Sequence, residues 1–308
     1  MSRILTLWLA CLLLAPLAAA GKTLSVGKGR AYAAPSEAIA AARDGDTVQI
    51  DAGEYYDCAV VAANNLTIEG IGPKASAVLT DKVCGGKALL ITNGRNITIR
   101  NLTLQRARVA DRNGAGIRAQ GGNLTIDHVK FINNEDGILG ADSPDANIVI
   151  RNSAFLYNGV CAAQCAHGIY INHIASLTIE NSKFFGTKQG HHVKFRGRRL
   201  VVTGCDFADG PEGTSSYSIE APNGGSVIVR NNHFEKGPKS ENHTGAVVIG
   251  MEGVTQPTPE ITVENNSFVV DGGYTSYLVV NRTATEAMLK GNILKTTAKA
   301  LDGDGVVK

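Results

Sequence analysis

The chain has 308 residues and a formal net charge of +2. That length is enough to bury a large core, and the near-neutral balance argues against general nucleic-acid affinity, so any preference for an anionic partner must sit in a local patch. Composition does not shift along the chain, and we read residues 21–308 as one domain behind a leader.

Residues 1–20 read as a secretory signal. Arg3 gives the positive start, Ile4 to Pro16 the apolar core and Ala18-Ala19-Ala20 the small-residue cleavage site. The apolar run is short for a membrane span and no later stretch replaces it. The expectation is an exported monomer, periplasmic or extracellular, with no membrane insertion once the signal is cut. Cysteine usage fits an oxidising compartment. Cys58, Cys84, Cys161, Cys165 and Cys205 remain after Cys11 leaves with the signal. The odd number leaves at least one thiol unpaired or pairing between chains. Cys58–Cys84, about one repeat apart, is the preferred bridge, and Cys161–Cys165 a second that would clasp a loop. A zinc site from Cys161, Cys165, His167 and His173 is the weaker reading, because the ligand spacing matches no recognised pattern.

A strand (Thr23 to Val26), a helix and a strand (Thr47 to Ile50) come first, with Ser36 as helix N-cap and an alanine-rich run behind it. Short alternating apolar runs then recur: Leu66-Thr-Ile68, Ile97-Thr-Ile99, Leu124-Thr-Ile126, Ile148-Val-Ile150, Leu177-Thr-Ile179, Leu200-Val-Val202, Val227-Ile-Val229 and Ile261-Thr-Val263. Alternation of this kind is strand chemistry. A leucine or phenylalanine follows most of them (Leu104, Phe131, Phe155, Phe184, Phe207, Phe234, Phe268), at intervals of 23 to 34 residues. A repeat of that length with slack in it describes a solenoid with unequal loops. Gly and Asn supply its turns, which is also the simpler account of the N-x-S/T triplets at Asn65, Asn96, Asn101, Asn123 and Asn265. The stretch Ala34–Asp57 resembles the entry segment of pectin-lyase-like right-handed parallel β-helix proteins, in which a helix covers the open first coil. The resemblance implies an all-β, three-sided right-handed parallel β-helix with an N-terminal capping helix.

Stacking then decides what meets on the surface. Placing Ile117, Ile138, Ile169, Val193 and Ile219 inward turns Arg118, Leu139, Tyr170, Lys194 and Glu220 outward. Adjacent coils lie about 4.8 Å apart, so Tyr170, Lys194 and Glu220 form a row. Two residues further on, Asn172 and Arg196 stand beside it. His192 is expected to enter the patch from the strand start, the directions of His191 and His167 are open, and Tyr217 and Asn223 extend the groove. Such a row suits β-elimination on an acidic, uronate-containing polysaccharide, or the related epimerisation. Arg196 would clamp the carboxylate, Lys194 or His192 take the C5 proton, and Tyr170 protonate the leaving oxygen. Glu220, Asn172, Arg118, Tyr217, His191 and His167 would bind sugar.

The acid clusters of calcium-dependent pectate lyases, polygalacturonases and pectin methylesterases are missing from this row. No cofactor is called for, and the acidic stretch Glu135 to Asp145 is the only calcium candidate. Two other functions compete. One is a non-catalytic glycan-binding or envelope scaffold, for which a Lys–Glu row is cross-strand pairing only. The other is a glycoside hydrolase, which would need a loop to bring in Asp206, Asp209 or Glu212.

Overall fold

The structure, a computed structural model, describes residues 21–308 apart from Lys74. The expected secretory signal lies outside the described residues. Among them, three long parallel sheets of twelve, ten and ten strands wrap one interior. Successive strands visit the three sheets in turn, and each pairs with its counterpart one coil away. The Leu-Thr-Ile runs make the twelve-stranded sheet, with Leu124, Ile148, Leu177 and Leu200 in one register column. No helix of the described residues is long and apolar enough to cross a membrane.

The sequence reading of the first elements holds for the strands Thr23–Val26 and Thr47–Ile50 and needs one change at the helix, Pro35–Ala41. Ser36 is not the N-cap. Ala34 takes that place, and Glu37 Oε2 reaches back to accept the N–H groups of Ala33 and Ala34 at 3.0 and 3.2 Å. The Ser36 N–H is satisfied from outside, by Asp57 Oδ2 at 2.7 Å. Free helix N–H groups need an acceptor, and here a nearby carboxylate supplies it in place of the local hydroxyl.

Inside, Phe131, Phe155, Phe184, Phe207 and Phe234 stack at 4.5–5.0 Å between ring centroids, all fully buried. In-register stacking of one residue type turns each interval between phenylalanines into one coil, so their irregular spacing is absorbed entirely by loops. The turns use left-handed backbone at Asn65, Asn96, Asn101 and Asn265, as the sequence suggested, but not at Asn123. Other asparagines, two buried and one half-buried, bind the backbone of the neighbouring coil. Asn232, Asn266 and Asn292 each accept the backbone N–H of the preceding corner or asparagine side (Cys205, Asn232 and Asn266 in turn) at 2.8–2.9 Å. They thus pair amides that would otherwise be stranded in the core.

Both expected bridges are formed, Cys58–Cys84 and Cys161–Cys165. The second closes a two-stranded antiparallel loop, which removes its cysteines from any zinc set. Among the described residues Cys205 is the free thiol; it is enclosed, and burial pushes it up to about 12. The calcium candidate also falls away. Glu135 accepts the N–H groups of Val109 and Gly114, Asp136 accepts that of His167 at 2.6 Å, and Asp142 pairs with His173. Those acids serve different coils, and no metal-ligand cluster occurs among the described residues.

Candidate functional site

One ten-stranded sheet carries the site. Ile138, Ile169, Val193 and Ile219 face inward in one column and are fully buried. The next residues therefore face out together, Leu139, Tyr170, Lys194 and Glu220, with Arg118 before them and Val248 after. Lys194 Nζ lies 2.9 Å from Glu220 Oε2. Arg196, just beyond its strand, donates from Nε to Tyr170 Oη at 3.0 Å and from Nη1 to Asn223 Oδ1 at 2.7 Å. Its guanidinium and the Lys194 ammonium stand 5.7 and 6.0 Å from the Tyr170 ring centre, within cation–π range.

A residue that the sequence did not reveal completes this cluster. Glu252 Oε1 accepts Lys194 Nζ at 2.6 Å, and Oε2 accepts Arg196 Nη2 at 2.5 Å. It sits in the Gly250–Gly253 turn, within the longest of the phenylalanine intervals, Phe234 to Phe268. That excess length was the available signal, since a coil of fixed circumference must push surplus residues into a loop over one face. The charges set one another. Burial alone would lower Lys194, but Glu220 and Glu252 outweigh it and hold its pKa above the ordinary lysine value. Burial alone would raise Glu220, but His191 and Lys194 bring it down to about 2.

His167, His191 and Tyr217 stack beside the row, with centroids 4.9 and 5.1 Å apart and planes within 11°. Burial pushes both histidines below the usual value, so they are neutral at pH 7. Their tautomers are fixed by backbone donors. His167 Nδ1 accepts the His191 N–H at 2.9 Å, and His191 Nδ1 accepts the Tyr217 N–H at 3.1 Å. Each proton is therefore on Nε2, and His191 Nε2 faces Glu220 Oε2 at 3.1 Å. Neither ring offers a free lone pair. The clasped loop contributes Gln164 and Cys165 to a cavity of about 420 Å³ that Tyr170, His191, Lys194, Arg196 and Glu241 also line. A larger groove of about 580 Å³ runs along the asparagine turns near His128 and Asn152, but none of the row lines it.

Several expectations need correction. His192 does not enter the patch. It is fully enclosed, 2.7 Å from Thr187 Oγ1 and 3.2 Å from Asp209 Oδ1, and packs against Phe184 and Phe207. Lys194 is not poised to take the C5 proton, because the carboxylates of Glu220 and Glu252 are against it and hold it charged. Asn172 follows Ile171, the register partner of Phe195, yet is not among the residues lining the cavity. Arg118 lies two coils from Tyr170, with its Nε enclosed and unbonded. Asp206, Asp209 and Glu212, the acids named for hydrolysis, do not reach the row; the carboxylate that a loop does bring to Glu220's cluster is Glu252. Asp206 pairs with Lys183, Glu212 with Lys239, and Asp209 is interior.

Comparison with known proteins agrees with this architecture. The family model "Right handed beta helix region" matches residues 48–207 and 143–302. No curated protein matches the sequence. Among solved structures, an alginate lyase from Paenibacillus sp. str. FPU-7 is similar over 92% of this chain and 99% of its own, with TM-score 0.67 and 17% identity. The pectin methylesterase from Aspergillus niger is similar over 93% and 91%, with TM-score 0.50 and 9% identity. A Geobacillus virus E2 protein, ORF18, is similar over 92% of this chain and 62% of its own, with TM-score 0.53 and 13% identity. At such identities the likeness is one of fold. With the family model matched over most of its length and three parallel sheets in register, the chain belongs to the right-handed parallel β-helix proteins.

Proposed function

We propose that this is an exported polysaccharide lyase that cleaves a uronate polymer by β-elimination. The observation that carries the reading is the convergence of Lys194 and Arg196 on a single carboxylate beside the Tyr170 hydroxyl. A uronate bound there would place its carboxylate between the two cations and its C5 and C4 substituents toward the phenol. The elimination moves the C5 proton to a base, turns the C–H electron pair into a C4=C5 bond, and expels the C4 oxygen, which takes up a proton. Negative charge builds on the carboxylate as the proton leaves, and two cations there stabilise it.

The base has to be a group able to accept a proton. Lys194 is charged, both outward histidines hold their lone pairs on backbone amides, and His192 is sealed inside. Tyr170 remains. Tyr170 Oη, into which Arg196 donates, takes the C5 proton after giving up its own to water and then passes a proton to the leaving oxygen. One group acting twice works from one side of the ring, so the elimination is syn. His167 and His191 are hydrogen-bond donors, and Arg118, about 10 Å along the same column, is a distal contact for a further acidic sugar. The likeness to an alginate lyase over nearly all of both chains supports a uronate polymer. The two disulfides suit an oxidising compartment.

The test is a panel of uronate polymers, followed by absorbance of unsaturated ends. New ends that disappear in Tyr170→Phe and in Lys194→Met support the proposal. Binding without new ends across the panel points to a glycan-binding scaffold, and turnover unchanged in both variants places the chemistry elsewhere.

A further inference from the structure

We propose that Glu252 is a tethered stand-in for the substrate's own carboxylate, a ligand carried by the chain that the acidic sugar must displace. The inference rests on reading Lys194 and Arg196 as a carboxylate clamp. Glu252 holds that clamp as a bound uronate would, one oxygen on each cation, at 2.6 and 2.5 Å. The cluster is electrically full. Lys194 and Arg196 are balanced by Glu220 and Glu252, and the adjacent histidines are neutral. Adding a sugar carboxylate while Glu252 stays would set three anions around two cations in a partly enclosed site. One carboxylate has to leave.

Geometry selects which. The Glu220 side chain is 5% exposed and is held by His191 as well as Lys194, whereas that of Glu252 is 42% exposed. The backbone under Glu252 is pinned. Its N–H donates to Pro222 O at 3.1 Å, and Asn223 ties down the next residues through its Nδ2 on Gly253 O and its own carbonyl on the N–H groups of Thr255 and Gln256. Release therefore needs only rotation of the Glu252 side chain into solvent. The cations do not depend on it for their positions. Lys194 keeps Glu220, and Arg196 keeps Tyr170 and Asn223. A residue with those properties competes with substrate and does not build the site. The apparent affinity is then reduced by the fraction of molecules in which Glu252 has swung away.

Two measurements on the full chain test this. In Glu252→Gln, KM for the polyuronate that the wild type cleaves is expected to fall on the order of tenfold. A fall in kcat with KM unchanged would mean that Glu252 positions Lys194 and Arg196, and would overturn the inference. Independently of turnover, Glu252→Ala is expected to gain thermal stabilisation from acetate that chloride at equal ionic strength does not give and that the wild type lacks. An equal response in the two proteins would also overturn it. An acetate response confined to the variant, with no polymer cleaved by either protein, supports the tethered ligand and removes the lyase reading instead.

Discussion

His191 and His192 are neighbours in sequence and belong to two different polar clusters. His191 faces out, toward Glu220, Lys194 and the cavity. His192 faces in, where Asp209 accepts from Ser215 Oγ at 2.5 Å, from the Gly237 N–H at 3.1 Å and from Ser240 Oγ, and Lys236 donates to Ser216 O at 2.7 Å. The inner cluster has no exposed member among His192, Asp209, Ser215 and Lys236, and each of its polar groups has a partner. The outer one is reachable, and its cations share a carboxylate that solvent also touches. Perturbed charges occur in both. Only where they face a cavity can they act on a ligand, so perturbation alone does not mark a site.

The comparison breaks first on activity. Tyr170→Phe removes the group that moves both protons, and kcat is expected to fall on the order of 10⁴-fold, about 5 kcal/mol in the barrier, with the melting temperature held. Initial rates and a thermal scan on the same preparation check it, and a matched fall in stability would place Tyr170 in the structural class. Asp209→Ala is the inner counterpart. It leaves His192, the Gly237 N–H and two hydroxyls without their acceptor and Lys236 without the attraction of that carboxylate, and should cost about 4 kcal/mol of stability by denaturant titration. A loss under about 1 kcal/mol would mean that the inner network is dispensable.

A pH series sharpens the same contrast. Burial, opposed by Asp209 and Glu235, brings Lys236 down to about 8 from 10.5. Between those values the unfolded chain binds a proton that the folded chain does not. Stability therefore rises with pH across that window, by up to about 3 kcal/mol, and carries a constant penalty below it. Lys236→Met should flatten the rise, and an identical slope in the variant would refute the assignment. The smallest effect separates the adjacent histidines. His191→Gln is expected to lower kcat/KM about tenfold, near 1.4 kcal/mol, with little change in stability. His192→Gln should do the reverse, with about 1–2 kcal/mol lost from the fold.

Much of this was legible beforehand. The inward column at Ile138, Ile169 and Val193 could be registered from alternation alone, and that step brings Tyr170, Lys194 and Glu220 together from positions 24 to 26 residues apart. His192 was misplaced because it stands one residue before its strand, where the backbone is turning and strict alternation does not yet hold. Glu252 escaped notice for the opposite reason: it belongs to no strand, so no period could assign it a face.

The sequence by itself determined the coil. A two-residue alternation and a recurring phenylalanine encode a stacked three-sided helix, because both act between neighbours at fixed spacing. Only the tertiary structure decided which charges face one another across loops. A loop's path depends on where its ends are held, here by Pro222 and Asn223, and no local pattern records that. The Glu252 carboxylate between Lys194 and Arg196 is the consequence, since it is set by contacts 56 and 58 residues apart in the chain.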